Sequence, residues 1–173
     1  MKKHYVFVIV AALMLFVGKV NAQISMHAGY QNLGMTDGLF SLKGNGFYVG
    51  VVGNNVKNDF GVATGVLFSC AYNHNQFFDA SIMYLRIPIL ANYGIDINND
   101  IRLYGFAGPK AGFSLKWMKD KDAYLFDLGL MFGCGLKRDK LSFEIGYNIG
   151  LFNEAKVMMN HFVAGIGYTF YTF

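Results

Sequence analysis

The stretch His161-Phe-Val-Ala-Gly-Ile-Gly-Tyr-Thr-Phe-Tyr-Thr-Phe173 decides the reading of the fold. Phe162, Ala164, Ile166, Tyr168 and Phe170 alternate with small or polar residues, the period of a strand whose two faces meet different surroundings. Tyr168, Phe170 and Phe173 make an aromatic close to that strand. Phe173 lies in the opposite phase from Phe170, so a bulge or a frayed tail is expected there.

Working back from this stretch, the same rhythm recurs at roughly 23–34, 46–53, 60–73, 81–95, 101–116, 123–137 and 141–151, giving eight strands in all. In the third, Phe60, Val62, Val66, Phe68 and Tyr72 share one face, and Gly61, Ala63, Gly65, Ser69 and Asn73 share the other. The sixth repeats this with Phe126, Leu128, Leu130, Phe132 and Leu136 against Asp127, Gly129, Gly133, Gly135 and Lys137. The run at 46–53 is the weakest, short and ambiguous in phase.

The N-terminus reads as an export signal over residues 1–22. Met1 to His4 is basic, Tyr5 to Gly18 is apolar, and Val20-Asn21-Ala22 suits cleavage before Gln23. Residues 23–173 then form one domain. Lys2, Lys3 and Lys19 leave with the signal, so the basic balance of 15 Lys+Arg over 11 Asp+Glu nearly vanishes. Nucleic acid is therefore not an expected partner. The chain is 54% hydrophobic and 17% aromatic, yet no segment after the signal is apolar for long enough to span a membrane as a helix. Cys70 and Cys134 sit on distant strands, where a disulfide is not expected.

The two faces decide between water and lipid. A water-soluble barrel turns charge outward and packs bulk inside. Here one face of each strand is bulky, and the other is mostly Gly, Ala, Ser and Asn, which suits a narrow lumen. All six strand charges, Arg86, Arg102, Lys110, Asp127, Lys137 and Glu144, share the small-residue phase. On a lipid-facing surface a Lys or Arg would cost about 2–4 kcal/mol at midplane. The expected fold is an all-β, eight-stranded, antiparallel up-and-down transmembrane β-barrel, monomeric and in contact with outer-membrane lipid. Short turns are expected at Asn54–Asp59, Asp96–Asp100 and Arg138–Lys140, and longer loops at Met35–Asn45, Asn73–Ala80, Lys116–Asp122 and Phe152–Asn160.

Five motifs carry a family resemblance. Tyr84-Leu-Arg-Ile-Pro-Ile-Leu90, Leu103-Tyr-Gly-Phe-Ala-Gly-Pro-Lys-Ala-Gly-Phe113, Asp127-Leu-Gly-Leu-Met-Phe-Gly-Cys-Gly135, Tyr147-Asn-Ile-Gly-Leu-Phe-Asn153 and Ile166-Gly-Tyr-Thr-Phe170 occur in order. Together they resemble successive strands of the PorT-like outer-membrane β-barrel proteins of Bacteroidota. The resemblance implies a cell outer membrane location and insertion by the barrel-assembly machinery through the last strand. It also implies a link to protein secretion, the role of the family's namesake.

Few residues suggest chemistry. Placing the fifth hairpin's turn near Lys119 brings Lys110 close to Asp127, and Arg86, Arg102 and Glu144 complete an expected lumenal polar network, with Tyr84 and Tyr104 near. His27, His74 and His161 are the candidate bases. His74 with Asp79 and Ser81 is the one local set resembling a Ser–His–acid centre. No spacing suits a metal, and no cofactor is expected. The expected role is structural or interacting, through the loops and not enzymatic. The alternatives are an accessory part of a secretion apparatus and a lipid-modifying barrel enzyme.

Overall fold

The computed structural model describes residues 22–36, 41–75, 78–98, 100–116, 125–153 and 158–172. They form β1 (Ala22–Thr36), β2 (Ser41–Lys57), β3 (Phe60–Asn75), β4 (Phe78–Asp96), β5 (Ile101–Lys116), β6 (Leu125–Arg138), β7 (Leu141–Asn153) and β8 (Met158–Thr172). Each strand pairs antiparallel with the next, and β1 pairs with β8, so the sheet closes into an eight-stranded barrel. Closure removes the unpaired edges that an open sheet would carry. The expected signal segment lies outside the described residues, except for Ala22 at the start of β1.

The strands run from 13 to 19 residues, more than the roughly 9–11 needed to cross a hydrocarbon core. β2 departs most from the expectation. It extends over 17 residues, not eight, because its backbone pairs with β1 along Ser41–Asn55 and with β3 along Asn45–Lys57. Ladder hydrogen bonds do not depend on which side chains alternate, so a blurred apolar pattern understated the strand.

The same ladders shorten the connections. The expected turn at Asn54–Asp59 contracts to Asn58-Asp59, since Lys57 pairs directly with Phe60. Asp139-Lys140 joins β6 to β7 in the same way. Asn58 (φ 58°) and Asp139 (φ 52°) adopt the left-handed conformation that these tight turns need and that Asn and Asp tolerate best. Asn98 Oδ1 accepts from the amides of Asp100 and Ile101 at the third turn. At the other end the strands take in both flanks of the loops expected at Met35–Asn45, Asn73–Ala80 and Phe152–Asn160, whereas of Lys116–Asp122 they take in only Lys116. What remains, 37–40, 76–77, 117–124 and 154–157, lies outside the described residues.

A β-bulge closes the barrel. Ile24 pairs with Tyr171 and Ser25 with Thr169, so Phe170 is the extra residue. Phe170 and Tyr171 both face outward, 48% and 51% exposed. The change of phase expected near Phe173 thus falls at Phe170. Phe173 lies outside the described residues.

The two faces are inverted relative to a water-soluble protein. Outside, Phe47, Phe60, Phe132, Phe143, Ile145 and Ile166 are exposed. Inside, Arg86, Lys110, Asp127, Gln31, Asn148 and His161 are each at most 1% exposed. Midway along the lumen Tyr48, Leu67, Leu90, Phe106, Met131 and Val163 form an apolar layer. Glycines admit its bulk: a Cβ on Gly133 or Gly146 would lie 2.5 or 3.2 Å from Phe106 Cζ. These two glycines face each other across β6 and β7, and the phenyl ring covers the notch they leave.

Candidate functional site

On the turn side of the apolar layer the lumen holds a cavity of about 170 Å3. Leu67, Leu90, Phe106 and Met131 contribute its apolar surface. Ser25, His27, Glu144 and Tyr104 contribute polar groups, and Arg102 and Lys137 line it beside the turns.

The first two of these polar groups alternate on the inner face of β1, and glycine brings the third to them. Glu144 on β7 and His27 on β1 are separated by β8, whose residues opposite them are Gly165 and Gly167. A Cβ on Gly167 would sit 2.9 Å from His27 Cε1, so a bare backbone is required where the side chains meet over the strand. Ser25 Oγ lies 2.8 Å from His27 Nε2, and His27 Nδ1 lies 3.2 Å from Glu144 Oε2. The second carboxylate oxygen accepts from Tyr104 OH at 2.6 Å. A carboxylate only accepts, so Nδ1 carries the ring proton of a neutral His27 and Nε2 accepts from the serine hydroxyl. Ser25 Oγ is also 3.3 Å from the carbonyl of Val52, the more distant of its two acceptors.

On the loop side of the apolar layer a second polar group is sealed from solvent. Lys110 Nζ donates to Asp127 Oδ2 at 2.8 Å and to Tyr84 OH at 3.1 Å. The two charged residues are not directly opposite. Lys110 pairs with Gly129 and Asp127 with Gly112, so the salt bridge runs diagonally across two glycines. His161 stacks on Tyr84 with centroids 5.5 Å apart. Arg86 donates to Gln31 Oε1 at 3.1 Å and lies 5.4 Å from the Tyr48 ring centroid. Arg86 Nε and Nη1, Asp127 Oδ1 and the polar atoms of Asn148 and His161 are buried without a protein partner among the described residues.

Arg102 stands apart, at the turn-end rim. It pairs with Asp96 at 3.2 Å and Asp59 at 3.8 Å and donates to the carbonyls of Asn58 and Gly94.

The single network expected of Arg86, Arg102, Lys110, Asp127 and Glu144 is therefore three groups at different heights. Lys110 and Asp127 are brought together, with Tyr84. Among the described residues no hydrogen bond links Arg86 to that pair, and Glu144 joins His27, not the cations. Strand phase placed all of them inside, but height depends on the tilt and stagger of the closed sheet. His27, Ser25, His161, Gln31 and Asn148 also belong to the buried polar interior, beyond the expected set. The available signal was phase: Ser25 and His27 alternate inward on β1, as Glu144 does on β7. The backbone register sets His74 opposite Asp79, and the side chains of His74, Asp79 and Ser81 lie outside the described residues. Both cysteines are free. Among the described residues no group of three or more His, Cys, Asp or Glu is placed to hold a metal.

No family model matches the chain, and no curated protein matches it. Solved structures do. Neisserial surface protein A is similar at 17% identity and a TM-score of 0.61, over 86% of this chain and 99% of that one. Ail, the attachment invasion locus protein of Yersinia pestis, is similar at 19% identity and 0.55, over 87% and 100%. The outer membrane enzyme PagL is similar at 11% identity and 0.57, over 84% and 98%. At these identities the likeness is one of fold.

Proposed function

We propose that the chain is a small integral outer-membrane barrel with a structural or interaction role, presenting its loop end outward. The observation that carries this reading is the inversion of faces: an exposed apolar belt around a lumen that hides Arg86, Lys110 and Asp127. A belt of that kind is stable only against hydrocarbon. The lumen is not a diffusion pore, because the layer of Tyr48, Leu67, Phe106 and Met131 spans it. Within this reading, the five PorT-like strand motifs favour an accessory part in protein secretion. Loss of secreted proteins on deletion would support that part, and unchanged secretion would remove it.

Fractionation with heat-modifiable gel mobility tests the location. A soluble periplasmic protein would end the proposal. Two variants probe the belt. Phe132→Arg places a charge on the outer face of β6 and should lower stability in lipid by about 2–4 kcal/mol if Phe132 lies near midplane. Read as the urea midpoint of the folded gel band, no change would mean that this face meets water. Cys134, exposed on the same face, should resist a membrane-impermeant maleimide in vesicles and react once the barrel is unfolded.

A further inference from the structure

We propose that Ser25 is an activated nucleophile and that the cavity on the turn side is a site for small acyl esters, a capacity beyond the interaction role and independent of it. Three observations converge. Ser25 Oγ, His27 Nε2, His27 Nδ1 and Glu144 Oε2 form one relay, with links of 2.8 and 3.2 Å. The order of atoms is that of a serine nucleophile, a general base and an orienting carboxylate. Tyr104 holds the far oxygen of Glu144 at 2.6 Å, so the acid is itself fixed. The relay also lines a cavity of about 170 Å3, so a reactant has somewhere to sit. A chain of hydrogen bonds serving only to satisfy buried groups has no need of such space.

The chemistry balances with water as the co-reactant. Ser25 Oγ attacks the ester carbonyl carbon as its proton passes to His27 Nε2. The carbonyl π electrons move to oxygen and then return, the bond to the alkoxy group breaks, and the imidazolium gives its proton to the departing alcohol. Water repeats the sequence on the acyl-serine, releasing the acid and restoring the hydroxyl.

The surroundings select the substrate class. Strand amides are committed to the ladder, so a developing oxyanion must be met by a side chain. Lys137 lines the same cavity, and its ammonium donates to the neutral Gln23. Arg102, by contrast, is held by Asp96 and Asp59. Among the described residues Lys137 has no carboxylate partner, and such a cation favours esters that carry an anionic group. The volume limits the acyl part to a short chain or a single ring, since engineered cavities of about 150 Å3 accept benzene. The cavity lies on the turn side, so long lipid acyl chains entering from the loop end are not its substrates.

The test uses the full-length protein folded in detergent, with diisopropyl fluorophosphate as probe and peptide mapping by mass spectrometry. Ser25 should acquire the phosphoryl adduct at least about a hundredfold faster than Ser142, a serine lining the same cavity that makes no bond to His27. Because the comparison is internal to one molecule, it does not depend on any variant folding. His27→Gln should slow the adduct about a hundredfold, and Glu144→Gln more than tenfold, since an amide no longer enforces the ring tautomer. Ser69→Ala, remote from the cavity, should leave it unchanged. Hydrolysis of p-nitrophenyl acetate should fall to the background of the unfolded chain in Ser25→Ala. Equal rates at Ser25 and Ser142, or an adduct indifferent to His27→Gln and Glu144→Gln in folded protein, would overturn the proposal.

Discussion

Asp127→Asn is expected to destabilise the barrel by about 3 kcal/mol or more, within the range for breaking a buried ion pair by removing one partner. The Lys110 side chain is 0% exposed and that of Asp127 is 1% exposed, so neither can turn to water. Lys110 Nζ has two close partners, Asp127 Oδ2 and Tyr84 OH, and only the first is charged. With Asn the ammonium keeps a dipole but loses its counter-charge in a low-dielectric layer. The wall cannot shift to expose it, because Lys110 projects from a strand paired on both sides. The measurement is the urea midpoint of the heat-modifiable folded form in detergent. The double variant Lys110→Met, Asp127→Leu should recover most of the loss, since replacing both charges removes the uncompensated one. An unchanged midpoint for Asp127→Asn would show that the diagonal pair does not hold the lumen.

Gly133→Ala carries the second large effect, a loss of about 1–3 kcal/mol from overpacking. A Cβ there would lie 2.5 Å from Phe106 Cζ and 2.7 Å from Gly146 Cα. A rotamer change moves the ring aside, but the opposing backbone belongs to the barrel wall and cannot yield without loosening the β6–β7 ladder. Gly105→Ala is the matched control. Gly105 faces outward, and its Cβ would meet nothing nearer than Gly133 O at 3.8 Å. That variant should fold as well as the parent or slightly better, because alanine restricts the unfolded chain. Equal loss in both variants would attribute the effect to strand propensity and not to the lumenal notch.

The contrast between Gly133 and Gly105 shows what could be read in advance. Alternation assigns one to the lumen and the other to the outer face, and period-2 reasoning needs no partner strand to do so. The same logic put Arg86, Lys110, Asp127 and Glu144 inside. It was also enough to bring Lys110 near Asp127, because adjacent strands joined by a hairpin have a register set by the turn. Glu144 and His27 were another matter. They are 117 residues apart in sequence and meet only because β8 closes against β1 with Gly165 and Gly167 between them. No local pattern carries that information.

The sequence by itself determined the number of strands, the order in which they pair and, outside the ambiguous β2 run and the Phe170 bulge, the face of each side chain. Those properties follow from backbone alternation and the connections between neighbours. Tertiary structure alone decided the height at which each lumenal residue sits. That height depends on the stagger accumulated around the closed sheet and on bulges such as Phe170. It separated Arg102, Glu144 and Lys110 into three groups, and it set Ser25, His27 and Glu144 in line beside a cavity.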